Sequence, residues 1–341
     1  MNALEPQIKL AYIMGLRDVV LGEIKKNSNF HIIKEDIDSI YLEFAKDYLV
    51  DIKQLRSVTR AYITVQDSKC HPSYISNHKS ILGNLIEIVL SGNNEQFKSF
   101  KITCAGSDSS EVRSIARYIQ ETYGLFEKEE ADMKIHIVKP DVIWEIGIQI
   151  TPRPLSVRDY KVRNMSGGMD PTIAYAVNSF CVLDKAKKYL NVFSGSATLL
   201  IEAAQCYPYL GQLVGFDNNK KHLSLAIQNI KKAGLIKKIQ IKEMDIFDKP
   251  DLGKFDAITS DLPFGMSVSK GEDLENLYQS FIEYSQEILN PDGRLVIYTS
   301  EHEILEKIIS ESKFKIIKTL ELKFITAVDA YLRPKIFVCR F

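Results

Sequence analysis

The apolar positions of the chain recur with two different spacings, and their arrangement predicts two halves that are built differently. Up to about Ile150, short strands and helices alternate irregularly, which is typical of an α+β module. Its clearest helix covers 108–123, because four apolar residues fall on one face: Val112, Ile115, Ala116 and Ile119. Further helices are predicted over 15–26 and 76–90. Strands are predicted over 30–33, 40–44, 61–66, 99–104, 134–138 and 142–150.

After residue 168, strands and helices alternate strictly, which predicts a Rossmann-like, doubly wound and mostly parallel sheet. Its predicted strands cover 188–192, 212–216, 239–242, 257–260 and 294–299. Its predicted helices cover 197–206, 220–233, 273–289 and 301–311. Two last strands, 314–322 and 331–340, have no helix between them and must therefore pair in antiparallel fashion. The fold class is α/β, with a parallel sheet that ends in an antiparallel hairpin.

Composition and charge restrict the class of protein. The 341 residues suffice for two or three domains, and the 45% apolar and 26% charged fractions exclude a disordered or collagenous chain. Lysine and arginine number 44, as do aspartate and glutamate, so no net positive charge indicates nucleic acid, although a local basic patch remains compatible with it. We expect a cytoplasmic protein without a metal site, because the sequence has no leader, no membrane-length apolar run and no CxxC pair.

Basic residues are concentrated in the connector between the halves, over 153–168. It is either a solvated linker or a strip that faces a nucleic-acid backbone. On the second interpretation, the connector and the polar face of the 108–123 helix form one RNA-binding surface that opens toward Phe264. The predicted RNA-binding residues are Arg113, Arg117, Arg153, Arg158, Lys161 and Arg163.

Ligands of open parallel sheets bind beyond the carboxyl ends of the strands, and the first candidate there is a loop of small residues. Such a loop lets the backbone approach a ligand closely, but the GxGxxG pattern of dinucleotide sites is absent. Taken alone, it is either a ligand site or a tight strand–helix turn. The candidate cofactor-binding residues in it are Asn191, Phe193, Ser194, Gly195, Ser196, Ala197 and Thr198.

Two aspartates end or follow the next strands. Asp217 lies about 20 residues after Gly195, a spacing that suits a carboxylate accepting hydrogen bonds from a ribose diol. Its alternative role is the N-cap of the following helix. Asp245 is placed to accept a hydrogen bond from an adenine amino group, or is an ordinary loop aspartate.

The segment Asp261-Leu262-Pro263-Phe264-Gly265 carries the strongest signal. Asp261 and the Leu262 carbonyl can accept the two hydrogens of an exocyclic amino group, Pro263 fixes the turn, and Phe264 can stack on a base removed from its helix. The alternative is a turn with Phe264 in the core. Together the four segments indicate an adenosine cofactor without phosphate, S-adenosylmethionine, beside a nucleobase amino group, with Asp261 touching both.

Several segments resemble the class I methyltransferases that are fused to a THUMP domain, above all the tRNA (guanine-N2) methyltransferases of acceptor-stem position 6. NVFSGSATLLIEAA over 191–204 is similar to the family's DPFCGSGTxLIEAA, and DLPFG over 261–265 to its D-x-P-F-G. DPTIAY over 170–175 resembles the family's KPTLAYA, and 155–160 its L-x-x-R-x-Y connector. The resemblance implies a ferredoxin-like domain over 1–66, a THUMP domain over 67–152, a basic linker over 153–168 and a methyltransferase domain over 169–341.

The resemblance also implies a monomeric enzyme that methylates guanosine N2 in structured RNA, with tRNA ahead of ribosomal RNA and without a metal. Asp261, Leu262, Pro263 and Phe264 are then the catalytic residues. Asn191 and Ala197 depart from the family's acidic residue and glycine, and Ala197→Gly is expected to tighten the cofactor while costing helix stability. The alternatives are methylation of another base amino group, such as adenine N6, and a non-catalytic RNA-binding relative.

Overall fold

The computed structural model describes residues 5–26, 30–92, 97–106, 108–140, 142–263, 274–327 and 330–341, without the side chains of 75–77 and 327. The chain divides into two compact units. The first comprises the residues up to Tyr12 together with Val20–Ser156, and the second comprises Ile13–Val19 together with Val157–Phe341. No helix within the described ranges is both long and apolar enough to span a bilayer.

In the part that the structure describes, the first unit contains eight strands and most of four helices. The strands are β1 (Gln7–Ala11), β2 (Ile32–Glu35), β3 (Ser39–Glu43), β4 (Arg60–Gln66), β5 (Ser99–Cys104), β6 (Phe126–Glu127), β7 (Met133–Val138) and β8 (Glu145–Gln149). The helices are α1 (Arg17–Ile24), which begins in the second unit, α2 (Tyr48–Ile52), α3 (Ile75–Ser91) and α4 (Ser110–Tyr123). Strand β1 and helix α2 are not predicted from the sequence.

All eight strands form one sheet, in the order β2-β3-β1-β4-β8-β7-β5-β6. A row of buried aliphatic side chains crosses it in register and forms one face of the core: Leu42, Ile8, Ile63, Ile148, Ile135 and Ile102. The elements up to β4 follow the order β-α-β-β-α-β. The boundary between a ferredoxin-like domain and a THUMP domain stays a prediction, because this sheet is continuous across residue 66.

The opposite face of this sheet holds a buried carboxylate, Glu145. It is fully buried and receives hydrogen bonds from Lys9 Nζ (2.9 Å), Gln66 Nε2 (2.6 Å) and the Tyr41 hydroxyl (3.2 Å), while His136 Nε2 lies 2.8 Å away. Burial alone would raise the pKa of Glu145, but these hydrogen bonds and the Lys9 charge lower it to about 2.

The second unit contains nine strands and five helices within the described ranges. The strands are β9 (Lys188–Val192), β10 (Gln212–Asp217), β11 (Ile239–Glu243), β12 (Phe255–Asp261), β13 (Leu289–Thr299), β14 (Lys315–Glu321), β15 (Phe324–Ala327), β16 (Ala330–Leu332) and β17 (Lys335–Arg340). The helices are α5 (Pro171–Ser179), α6 (Thr198–Cys206), α7 (Lys220–Lys232), α8 (Leu274–Ile288) and α9 (His302–Ser310).

Seven of these strands form the predicted mixed sheet, in the order β11-β10-β9-β12-β13-β17-β14. The strands from β11 to β13 are parallel, whereas β17 pairs antiparallel with both β13 and β14. This confirms the predicted fold class. Two details differ: residues 290–293, which lie between the predicted helix 273–289 and the predicted strand 294–299, are a bulge inside β13, and a short hairpin of β15 and β16 lies within the closing pair.

The Glu145 cluster predicts an acid-dependent loss of stability. A lowered folded-state pKa stabilises the fold above the unfolded value of 4.5, and this contribution disappears as the pH falls toward about 2. We expect Glu145→Gln to lower the free energy of unfolding at neutral pH by roughly 3 kcal/mol, and by progressively less below pH 4.5. Urea titrations across this pH range measure it.

Glu127→Gln is the matched control, because Glu127 lies exposed on β6. An equal loss at all pH values for Glu145→Gln would contradict the electrostatic explanation.

Candidate active site

The four segments singled out from the sequence lie at the same edge of the second sheet. Strands β11, β10, β9 and β12 are neighbours and parallel, so their carboxyl ends point the same way. Asp245 follows β11, Asp217 ends β10, the small-residue loop follows β9, and Asp261 ends β12. The chain order reverses between β9 and β12, which is where open α/β sheets bind ligands.

The loop after β9 turns sharply through left-handed backbone conformations. Phe193, Gly195 and Ala197 have φ values of 55°, 51° and 65°. The Ser194 amide donates to the Phe216 carbonyl, and the Ala197 amide donates to the Ser194 carbonyl at 2.8 Å. Ala197 therefore precedes α6 rather than beginning it, and its alanine occupies a conformation that favours glycine.

Two glycines permit this close packing. A Cβ at Gly215 would collide with Ser194 Oγ and Leu200, so the strand next to the loop needs a bare backbone there. A Cβ at Gly195 would lie 3.1 Å from the sulfur of Met165, which belongs to the connector.

The remaining polar side chains of the loop bond within the protein. Asn191 is buried, and its Nδ2 donates to the carbonyls of Val192 and Thr259, both at 3.2 Å. The hydroxyls of Ser196 and Thr198 lie 3.3 Å apart, and both residues are buried. Asn191 therefore braces β9 against β12, which explains how an uncharged side chain is accommodated at this position.

Asp217 is fixed by two backbone amides. Its Oδ2 accepts from Gly195 N and its Oδ1 from Asn219 N, both at 2.9 Å, and His222 Nδ1 lies 3.4 Å from Oδ1. The N-cap of α7 is Asn219, whose side chain accepts from Lys221 N, so the alternative role of Asp217 as that cap is wrong. A carboxylate has about four acceptor positions, so free ones remain for a ligand.

Asp245 has a similar arrangement beyond β11. Its Oδ1 accepts from Phe247 N and its Oδ2 from Asn218 Nδ2, both at 3.0 Å. Ile246 is buried and Phe247 is half exposed beside it. The aspartate thus caps a short helical turn while keeping acceptor capacity.

Asp261 differs from the other two aspartates, because no group in the described ranges donates a hydrogen bond to its carboxylate. Burial raises the pKa of Asp261 to about 7, and the positive charge of Lys161 opposes that rise. The Leu262 amide donates to the Tyr298 carbonyl, and the Leu262 side chain is fully buried in the core. Phe264, predicted to stack on the base, lies outside the described residues.

The turn after Asp261 is held by two side chains that the sequence does not reveal. The Tyr278 hydroxyl donates to the Pro263 carbonyl at 2.8 Å and lies 2.8 Å from Thr299 Oγ1. Because Tyr278 is on α8 and Thr299 on β13, only the folded chain brings them to this turn.

The connector packs within the second unit from Val157 onward, unlike a solvated linker. Arg158 is only 10% exposed, and its Nε donates to the fully buried Glu202 at 3.1 Å, as does the Tyr160 hydroxyl at 2.7 Å. Asn229 binds both the amide and the carbonyl of Arg163 at 3.0 Å. These partners lie far along the chain, so sequence reasoning missed them.

The predicted RNA-binding residues therefore fall into two groups. Arg158 and Lys161 bond to groups within the protein, so the expectation that all six side chains are available to RNA is wrong for these two. Lys161 is half-buried, and its Nζ donates to the Met169 carbonyl at 2.6 Å. The other four are exposed: Arg113, Arg117, Arg153 and Arg163. Their contact with RNA stays a prediction.

A family model described as UPF0020, RMKL-like, methyltransferase domain matches residues 158–326. This part of the chain is an RMKL-like methyltransferase domain. The match begins at Arg158, so it includes most of the connector.

Two curated relatives and one solved structure resemble the chain that contains this methyltransferase domain. The bovine (Bos taurus) U6 snRNA (guanine-N(2))-methyltransferase THUMPD2 is 27% identical over 61% of this chain and 42% of its own length. The tRNA (guanine(6)-N2)-methyltransferase of Thermus thermophilus is 28% identical over 48% of each protein. The chain thus spans less than half the length of either relative. The crystal structure of TrmN from Thermus thermophilus has a TM-score of 0.72 and 19% identity, covering 98% of this chain and 99% of that one, and shows the shared fold.

The backbone of the loop predicts an unusual response to glycine. A left-handed alanine is strained by about 1–2 kcal/mol, whereas glycine gains about 0.4–1 kcal/mol of freedom when unfolded. We therefore expect Ala197→Gly to stabilise the methyltransferase domain by about 0.5–1 kcal/mol, opposite to the helix cost expected from the sequence. Thermal unfolding measures the change.

Ala203→Gly serves as the control, because Ala203 lies inside α6 and glycine there should cost about 1 kcal/mol. Destabilisation by both variants would show that the loop prefers alanine.

Proposed function

We propose that the protein transfers a methyl group from S-adenosylmethionine to the N2 amino group of a guanosine in structured RNA, with tRNA as the foremost substrate. The observation that carries this proposal is the Asp261 carboxylate, which accepts no hydrogen bond from the described residues and lies at the end of β12, on the strand next to β9 and its small-residue loop. The methyltransferase family of residues 158–326 supports the reaction, and the names of both curated relatives support guanine N2 in RNA.

The two aspartates beside the small-residue loop offer the hydrogen-bond acceptors that the cofactor requires. The remaining acceptor positions of Asp217 suit a ribose diol, and those of Asp245 suit an adenine amino group. When bound, S-adenosylmethionine supplies a methyl carbon that is already activated by positive sulfur.

The chain itself has to orient the base and favour the charge that develops on it. The Asp261 carboxylate accepts a hydrogen bond from the N2 amino group and stabilises its growing positive charge, while the Leu262 carbonyl takes the second hydrogen. The Leu262 amide and the Pro263 carbonyl are both bonded to neighbouring elements, so these acceptors are preorganised. The proton leaves N2 through Asp261 or to solvent.

The remaining proposals concern RNA binding, cellular location and oligomeric state. We infer that the first unit, with the exposed Arg113, Arg117 and Arg153, is a THUMP-containing module that holds the RNA backbone. The exposed Arg163 of the methyltransferase domain offers a further basic contact for RNA. A cytoplasmic, monomeric protein agrees with the balanced charge and scattered cysteines.

The direct test incubates the purified full chain with radiolabelled S-adenosylmethionine and unmodified transcripts of tRNA and U6 snRNA, and then identifies the methylated nucleosides by mass spectrometry. N2-methylguanosine is expected, from tRNA foremost. N6-methyladenosine would establish a different base specificity, and cofactor binding without methylation would establish a non-catalytic relative.

Asp261→Asn should lower the rate of methyl transfer on the order of 100-fold or more, because it removes one preorganised charged acceptor. RNA binding, measured by filter binding, should be nearly unchanged. Asp292→Asn is the control, because Asp292 is exposed in the bulge of β13. An active Asp261→Asn variant would refute the catalytic assignment.

Asp217→Ala should weaken S-adenosylhomocysteine binding by about 1.5–3 kcal/mol, the range for hydrogen bonds to a charged group. Isothermal titration calorimetry measures this loss. Asp248→Ala, which alters an exposed aspartate beyond β11, should bind normally. Equal affinity for all three proteins would mean that Asp217 only organises the loop.

A further inference from the structure

Lys161 is held rigidly inside the methyltransferase domain. The Tyr160 side chain is bonded to Glu202, and the Arg163 backbone is bonded on both sides to Asn229. Between these two anchors, Lys161 directs its Nζ to the Met169 carbonyl at 2.6 Å. A half-buried ammonium group fixed in this way acts as a stationary positive charge.

Three carboxylates lie within electrostatic reach of this ammonium: Asp170, Glu202 and Asp261. Two of them already have other partners. Asp170 Oδ1 accepts from the amide and the hydroxyl of Thr172, where it caps α5, and Glu202 accepts from Arg158 and Tyr160. Only Asp261 lacks a hydrogen-bond donor among the described residues, so the Lys161 charge matters most there.

Within the described ranges, the other titratable groups that interact electrostatically with Asp261 are Tyr298 on β13 and Tyr278 on α8. Burial and the neighbouring carboxylates raise the pKa of both phenols, so they remain neutral at physiological pH. Neither can offset the burial of Asp261. Among the described residues, Lys161 is thus the cation that favours the ionised form of this carboxyl group, and burial lowers the pKa of Lys161 itself.

We propose that Lys161 is a positioning residue for methyl transfer: anchored on the Met169 carbonyl, its charge favours the carboxylate form of Asp261 without occupying the oxygens that receive the base. This inference rests on the proposed function, because only an ionised Asp261 accepts from the amino group and stabilises its positive charge. A direct ion pair would block those oxygens, whereas a charge held nearby leaves them free.

The test compares the pH dependence of single-turnover methyl transfer for the full chain and three variants. The wild-type rate should rise with pH through about 7, as Asp261 ionises. Lys161→Met should move this rise upward by about one pH unit or more, so that its rate falls roughly 10-fold near neutral pH and recovers in alkaline solution. Lys161→Arg should restore the wild-type profile.

Lys238→Met is the matched control, because Lys238 is also half-buried and its Nζ also donates to a backbone carbonyl, that of Pro208 at 2.8 Å. Its profile should not shift. A Lys161→Met variant that is slower by one constant factor at every pH would overturn the proposal and leave Lys161 with a purely structural role.

A second readout separates this inference from the proposed function. Carbon-13 NMR of the Asp261 carboxyl, assigned with Asp261→Asn, follows its titration without any substrate. A higher titration midpoint in Lys161→Met supports the inference even if no RNA is methylated, and an unchanged midpoint refutes it even if guanosine is methylated.

Discussion

The parallel pairing of β9 with both β10 and β12 is the constraint on which the site depends. Val192 lies opposite Phe216 on one side and Ser260 on the other, so the three strands end in line. Each strand end then needs only a short extension to bring its functional group to the shared edge. The Asn191 and Ser260 side chains, which bond across β9 and β12, keep the two ends from sliding.

Buried charge in this chain is neutralised by groups from distant parts of the sequence. Glu145 in the first unit and Glu202 in the second are both fully buried, and each receives its donors from other elements. Such pairs contribute little net stability compared with apolar substitutes, but they are costly to break. Their value here is geometric. Glu202 holds the connector, which includes Lys161, against α6, the helix that follows the small-residue loop.

The sequence predicted the features that depend on local pattern. Alternation of strands and helices predicted a mostly parallel second sheet with an antiparallel end, and residues such as Asp217 and Asp261 were recognisable because they follow apolar runs. Strand β1 was not predicted, and neither were the hydrogen-bonding partners of Lys161, Glu202 and Tyr278. The partners of β1, Glu202 and Tyr278 lie 15 or more residues away along the chain, so no local spacing reveals them. A basic residue in a loop, such as Lys161, looks the same whether it faces RNA or a buried carboxylate.

The left-handed alanine at position 197 has a consequence for how such sites evolve and are recognised. The loop requires a backbone conformation, and glycine is only its least strained occupant, since alanine adopts it at modest cost and asparagine is also common there. β-Branched residues adopt it least readily. A sequence signature that insists on glycine at this turn therefore overlooks functional loops, and one written for small or αL-tolerant residues would retain them.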